Sequence, residues 1–174
     1  NITKYFKYFF QDSCLYILFE FLNNSDLEGF LNAYETLEKP IDSNTLWNIF
    51  MQCISALYYI HSNNIIHKNI SLSNVFMSEN KIVKLGDFRF SFLANNSCNI
   101  KTDIYAMGVV FHQLCYFASP NEQGKIKFKG QGKYPQEMEQ IIQFMLMNEN
   151  TNTKVFYDKI MEEYIKNVAR ITSI

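Results

Sequence analysis

The sequence predicts an α+β protein in which a short β part precedes a mainly helical body. Two runs rich in aromatic and aliphatic residues, 2–10 and 15–22, have the composition of strands and are joined by a polar turn at 11–14. From residue 42 onward, apolar residues recur at helical spacing over several stretches. With 174 residues, of which 48% are hydrophobic, the chain suits one folded domain with a core.

Charge and cysteine content argue against several classes of function. A net charge of −1 gives no general basis for binding nucleic acid or an anionic membrane. The four cysteines lack C-x-x-C spacing, so neither a zinc site nor a disulfide framework is indicated, and we expect an intracellular, cytoplasmic protein. Neither a membrane-spanning run nor a signal peptide is visible. Because the chain starts at Asn1 rather than Met, it is consistent with a piece of a longer protein.

Two helices are expected after the strand pair. Asp26 is suited to cap a helix over residues 27–34. A longer helix follows Pro40, with Asp42 or Ser43 as its cap, and ends at 61–64. Its apolar face is formed by Leu46, Ile49, Phe50, Cys53, Ile54, Leu57 and Ile60.

A hairpin is predicted in the middle of the chain. The apolar runs 75–77 and 82–85 are separated by the polar residues 78–81. Folding this hairpin brings Asn74 and Asp87 side by side, and their oxygens are ligands that Mg²⁺ accepts. The alternative, which we favour, is that both side chains make the backbone hydrogen bonds usual for Asn and Asp at turns.

The last third of the sequence is helical. The stretch 103–117 is apolar enough to be a buried central helix. A polar loop over 119–133 contains the basic cluster 125–129, which we interpret as a solvated loop rather than a phosphate-binding patch. Two more amphipathic helices are expected over 138–146 and 155–168.

Residues 67–74 and 87–89 resemble the catalytic and magnesium loops of eukaryotic protein kinases. The family pattern is H-R-D-L-x-x-x-N followed by D-F-G, and here the letters are H-K-N-I-S-L-S-N and D-F-R. The N-terminal strands are most similar to those of NIMA-related serine/threonine kinases. The resemblance covers nearly the whole chain and implies a protein kinase-like fold. Residues 1–22 would be a remnant of the small lobe with the hinge, and residues 23–170 the helical large lobe.

The resemblance also implies that the chemistry of phosphotransfer is lost. The Asp that accepts the substrate proton falls on Asn69, and an amide takes up no proton near neutral pH. The catalytic-loop Lys falls on Ser71, and the Gly of D-F-G on Arg89, where the conformational freedom of glycine is lost. The sequence contains no A-P-E, no G-x-G-x-x-G and no strand-three Lys.

Several positions would keep a place near a nucleotide. The resemblance makes Phe19 the gatekeeper and residues 20–22, including Glu20 and Leu22, the hinge whose backbone pairs with adenine. Phe76 falls on the adenine-facing position, where its ring would fill part of the purine space. Asp26 falls at a position whose side chain often reaches toward the ribose in the family. We favour its role as a helix cap.

Other matched positions imply structural roles. His67 would pack under Phe88 rather than act in catalysis. Asp103 would tie the catalytic-loop backbone to the helix 103–117, the alternative being a simple helix cap. Asn152 stands where the family has an Arg that pairs with the Glu of A-P-E.

These substitutions favour a pseudokinase, a kinase-like domain without enzymatic activity that acts as a binding or scaffolding module. Such a protein requires no cofactor, although weak binding of ATP with Mg²⁺ is compatible with the retained Asn74 and Asp87. We expect protein partners, and neither nucleic acid nor membrane. One alternative is an active serine/threonine kinase whose small lobe lies upstream in a longer parent chain. Another is a decayed fragment with no selected role.

Overall fold

The computed structural model describes residues 1–22, 25–93, 100–117, 134–147, 157–162 and 165–166. In these ranges the elements are β1 (Tyr5–Gln11), β2 (Cys14–Phe19), α1 (Leu27–Thr36), α2 (Ser43–Ser62), β3 (Ile65–Ile66), β4 (Val75–Met77), β5 (Val83–Leu85), β6 (Phe92–Leu93), α3 (Lys101–Tyr116) and α4 (Gln136–Met147). Residues 157–162 are also helical. The predicted α+β class is confirmed, with small antiparallel strand pairs beside a helical body.

Strands β1 and β2 form an antiparallel ribbon at the N-terminus. Its two turn residues, Asp12 and Ser13, have φ values of 49° and 61°, as a tight hairpin turn requires. Phe9 lies opposite Tyr16, and their rings stack at a centroid distance of 5.1 Å. Every residue of both strands is exposed. The predicted strand pair is confirmed, but the second strand ends at Phe19 rather than at residue 22.

The ribbon is attached to the rest of the molecule at both of its ends. Residues 1–3 run alongside β5, where the Thr3 N–H donates to the Leu85 carbonyl at 3.0 Å and the Leu85 N–H donates to the Asn1 carbonyl at 2.8 Å. After β2, the Glu20 carboxylate pairs with Lys84 of β5 at 2.6 Å. The strand β5 therefore anchors the ribbon from both sides.

The core lies between α2 and α3. Asp42 caps α2, accepting from the Thr45 N–H at 2.9 Å, which is one of the two predicted caps. The predicted apolar face of α2 is buried throughout. The rings of Phe50 on α2 and Phe111 on α3 stack at a centroid distance of 3.7 Å and an angle of 12°. Stacked aromatic burial of this kind makes the α2–α3 contact a main source of stability.

Helix α4 packs closely against α3. A Cβ at Gly108 of α3 would lie 2.8 Å from the Cβ of Met145, so only glycine permits this approach of the two helices. Met138, Ile141 and Ile142 are buried on the same helix, as predicted for residues 138–146.

The last predicted helix is described in part. Ile160 is buried, whereas Met161 and Ile165 of its predicted apolar face are exposed. Asn152, the polar loop 119–133 and the ends of the predicted helix 155–168 lie outside the described residues.

The described cysteines carry free thiols. Cys14 is exposed on the ribbon, and Cys53 and Cys115 are buried. Burial raises the pKa of the Cys53 thiol to about 12, so this thiol is protonated at neutral pH. Within the described ranges, none of the helices combines the length and the apolarity that crossing a membrane requires.

We predict that Phe50→Ala lowers the free energy of unfolding by about 3–5 kcal/mol, because it leaves a cavity against Phe111. Urea denaturation followed by circular dichroism measures the loss. Tyr59→Ala on the exposed face of the same helix is the control and should change stability by less than about 0.5 kcal/mol. Similar losses in the two variants would contradict the assigned core.

Candidate functional site

A buried carboxylate fixes the loop that precedes β4. Asp103, in the first turn of α3, is 1% exposed. Its Oδ2 accepts from the His67 N–H at 2.7 Å and its Oδ1 from the Lys68 N–H at 2.8 Å. His61 Nε2 lies 3.0 Å from the same Oδ2. The N-cap of α3 is Ile100, so Asp103 binds the loop backbone rather than capping its own helix.

The ionisation of Asp103 follows from these contacts. Burial alone would raise its pKa, but the hydrogen bonds from His61 and from the His67 and Lys68 N–H groups outweigh burial, and the pKa is lowered. The carboxylate is therefore charged at neutral pH and keeps the loop in place.

His67 is held as a neutral ring inside the protein. Its Nδ1 accepts from the Asn69 N–H at 3.2 Å, so its proton is on Nε2, which donates to the Gly86 carbonyl at 2.9 Å. The ring meets the Phe88 ring edge-on at 4.5 Å. Burial lowers the pKa of His67 and keeps it uncharged. These are the contacts of a packed structural histidine.

A polar cluster of Asn69, Asp87 and Arg89 lies beside this loop. The Asn69 Nδ2 donates to Asp87 Oδ2 at 2.7 Å, and the Arg89 Nε donates to Asp87 Oδ1 at 2.7 Å. The hydrogen bond from Arg89 is the main cause of the lowered pKa of Asp87. Because an ionised carboxylate only accepts hydrogen bonds, Asn69 must present its amide nitrogen to Asp87. Each oxygen of Asp87 thus accepts one hydrogen bond.

The backbone around the polar cluster explains how Arg89 replaces a glycine. The left-handed residue is Asp87, with φ of 59° and ψ of 63°. Arg89 lies within a short 3₁₀ helix, Phe88–Phe90, and is not among the residues with positive φ. The position therefore accepts a side chain without strain.

Asn74 connects the loop to the hairpin. It ends the short 3₁₀ helix Leu72–Asn74, directly before β4. Its Nδ2 donates to the Asn69 carbonyl at 2.8 Å, and its own carbonyl accepts from the Gly86 N–H at 2.9 Å. The hydroxyl oxygens of Ser71 and Ser73 lie 3.0 Å apart. Asn74 thus makes backbone contacts of the kind expected at a turn, while it also borders a cavity.

That cavity has a volume of about 460 Å³ and lies between the ribbon and the β4–β5 hairpin. It brings together the predicted hinge, the adenine-facing position and the two candidate metal ligands. Its described lining residues are Thr3, Phe19, Glu20, Phe21, Leu22, Asn74, Phe76, Asp87 and Arg89. Asp26 is not among them. It caps α1, where its Oδ1 accepts from the Gly29 N–H at 2.8 Å.

The Phe76 ring occupies one wall of the cavity. A Cβ at Gly86 would lie 2.7 Å from the Phe76 ring, so the ring packs directly on the glycine backbone. The Phe76 ring therefore takes up part of the cavity that a flat ligand could occupy.

Two ion pairs at the cavity were not predicted from the sequence. Glu20, on the hinge, accepts from Lys84 Nζ at 2.6 and 2.7 Å, and this bond is the main cause of its lowered pKa. Arg89 pairs with Asp87 in the same way. Alternation along β5 was the available signal for the first pair, since Val83 and Leu85 point into the core and Lys84 points away.

The contacts of Asp87 compete with a bound Mg²⁺. Mg²⁺ needs oxygen ligands in a near-octahedral arrangement, whereas both oxygens of Asp87 accept hydrogen bonds from Asn69 and Arg89. Within the described residues, no group of three His, Cys, Asp or Glu side chains is arranged to hold a metal.

Residues 1–99 match the protein kinase domain family. The chain belongs to the protein kinase family. It is 29% identical to the human serine/threonine-protein kinase Nek5 over 151 residues, which cover 73% of the chain and 21% of Nek5. It is 27% identical to mouse Nek1 over 73% of the chain and 12% of Nek1.

A kinase of another type also matches. The membrane-associated tyrosine- and threonine-specific cdc2-inhibitory kinase wee-1.3 of Caenorhabditis briggsae is 31% identical over 59% of the chain and 15% of its own length. The chain therefore spans about a fifth or less of these relatives. The predicted kinase-like fold and the likeness to NIMA-related kinases are confirmed.

We predict that the stability contributed by Asp103 depends on pH. Its pKa is lower in the folded chain than the ordinary 3.8, so its contribution is complete above that value and is lost as the pH falls through the folded pKa. Asp103→Asn should therefore lower the free energy of unfolding by about 2–3 kcal/mol at pH 7 and by less in acid. Urea denaturation at a series of pH values measures this.

Glu79→Gln, on the exposed turn between β4 and β5, is the matched control. Its free energy of unfolding should equal that of the wild type at each pH. A loss in Asp103→Asn that is the same at pH 7 and in acid would show that Asp103 does not act through its charge.

Proposed function

We propose that this chain is a pseudokinase that does not transfer phosphate and acts by binding another protein. The observation that carries the proposal is the hydrogen bond from the Asn69 amide to Asp87. In active kinases a carboxylate at this position accepts the proton of the substrate hydroxyl. The Asn69 amide donates a hydrogen bond here, and it is not basic enough to accept a proton from a substrate hydroxyl.

Rate arguments support an inactive protein. Losing a positioned general base lowers a rate by about 10²–10⁴, and losing one transition-state charge partner, here the Lys replaced by Ser71, by about 10²–10³. Residues that act as a unit are not additive. If the two losses were independent, they would multiply to about 10⁴–10⁷ and reduce a kinase turnover of roughly 1–100 s⁻¹ to about 10⁻² s⁻¹ or less.

The exposed ribbon supports a role in protein binding. Aromatic side chains such as Tyr8, Phe10 and Phe19 are exposed on β1 and β2, and contiguous exposed apolar surface marks interaction sites in many proteins. The net charge of −1 gives nucleic acid and anionic membranes no comparable attraction. We also propose an intracellular location, in keeping with the free thiols.

A second candidate is serine/threonine kinase activity supported by a small lobe elsewhere in a longer chain. Asn74 and Asp87, the residues that hold magnesium in the family, still border one cavity together with the hinge. Nek5 and Nek1, to which the chain is similar, are named serine/threonine-protein kinases. The engaged carboxylate of Asp87 is the observation against this candidate.

We expect no phosphate transfer from γ-labelled ATP to a mixed panel of protein substrates, because the base and the catalytic Lys are replaced. Incorporation of label measures this, with Asp87→Ala as the background and an active NIMA-related kinase as the positive control. Label transferred by the wild type at a rate near that of the control, and lost in Asp87→Ala, would refute the pseudokinase assignment.

We further propose that the chain needs no cofactor and binds ATP with Mg²⁺ weakly at most. A ligand present at a concentration equal to its dissociation constant adds about 0.4 kcal/mol of stability, or about 1 °C in Tm for a chain of this size. Millimolar ATP with Mg²⁺ should therefore raise the Tm, read by differential scanning fluorimetry, by no more than that. A shift of several degrees would contradict weak binding.

A further inference from the structure

We propose that Arg89 is a built-in counter-ion that replaces the divalent cation of this site, so that the cavity excludes Mg²⁺. The proposal rests on the pseudokinase assignment and adds how the altered site works. It assigns Arg89 a positioning and specificity role that follows from its contact with Asp87.

The charges around the cavity are already balanced without a metal. Among its described lining residues, formal charges are carried by Glu20, Asp87 and Arg89. Glu20 is neutralised by Lys84 at 2.6 Å, and Asp87 by Arg89 at 2.7 Å. A divalent cation would therefore add two positive charges beside a guanidinium, with no unpaired carboxylate to offset them.

The geometry of Asp87 points the same way. Its Oδ1 faces the Arg89 Nε and its Oδ2 faces the Asn69 Nδ2, each at 2.7 Å. A cation that used either oxygen along these directions would have to displace a hydrogen-bond donor. For Arg89 this means breaking a charge-assisted bond, which is of the stronger type.

The residues at positions 69 and 89 are matched to each other through Asp87. A carboxylate at position 69 would stand 2.7 Å from the Asp87 carboxylate, where Asn69 now stands. Two like charges so close are unfavourable unless a cation lies between them. With an amide at 69 and a guanidinium at 89, the two hydrogen bonds that Asp87 accepts from described side chains are both attractive, and no cation is needed.

The backbone holds Arg89 in this position. The 3₁₀ turn Phe88–Phe90 is closed by Ser91, whose N–H and Oγ both donate to the Phe88 carbonyl, at 3.0 and 2.6 Å. The guanidinium lies 5.8 Å from the centre of the Phe90 ring, within cation–π range. The Arg89 side chain is 70% exposed. Its backbone, however, is held next to Asp87 by this turn.

Titration with Mn²⁺, followed by the electron paramagnetic resonance of the free ion, tests the proposal directly. The wild type should show no saturable binding. Arg89→Gly and Arg89→Met remove the positive charge and should bind Mn²⁺ saturably, at concentrations at which the wild type leaves the free-ion signal unchanged. The double variant Asp87→Asn, Arg89→Gly should lose that binding, because the carboxylate is its ligand.

Arg89→Lys is the matched control, since it keeps the charge and should bind no Mn²⁺. Saturable binding by the wild type that is lost in Asp87→Asn would overturn the proposal. So would Arg89→Gly and Arg89→Met proteins that melt as the wild type does and still bind no Mn²⁺. These results are independent of phosphate transfer, because a wild type that binds Mn²⁺ and transfers no phosphate refutes this inference alone.

Discussion

The buried carboxylate of Asp103 joins parts of the chain that are far apart in sequence. It holds the His67 and Lys68 N–H groups and lies against His61, so the first turn of α3, the end of α2 and the loop before β4 are fixed together. A buried charge of this kind persists only when its hydrogen bonds are satisfied. The positions of Asn69 and Asn74 follow from that fixed loop.

The protein thus separates a preserved scaffold from an altered surface. Inside, the rings of His67 and Phe88 pack edge-on at a centroid distance of 4.5 Å. At the wall of the cavity, Asp87 accepts hydrogen bonds from Asn69 and Arg89. The first set contributes to stability and tolerates little change, whereas the second set determines chemistry and can change without unfolding the chain. Under the proposed function, phosphate transfer is lost while this packing is kept.

Periodicity and turn chemistry were enough to predict α1 to α4, the β4–β5 hairpin and the buried face of α2, because these depend on local spacing; of the apolar face predicted for the last helix, Met161 and Ile165 are exposed. The pairs Glu20–Lys84 and Asp87–Arg89 were not predicted. The first joins residues distant in sequence, and its existence depends on how the ribbon meets β5. The second depends on a 3₁₀ turn that places Arg89 back against Asp87, whereas the sequence suggested only a lost glycine.

The ribbon of β1 and β2 has no buried side, and this changes what specifies its alignment. In most sheets a slip of one residue would move apolar side chains into water, and burial prevents it. Here both faces are exposed to solvent, so burial does not constrain the register. Strand alignment depends instead on the left-handed pair Asp12 and Ser13 and on the stacked rings of Phe9 and Tyr16. These four residues, together with the attachment of both ribbon ends to β5, therefore determine which side chains each face of the ribbon presents.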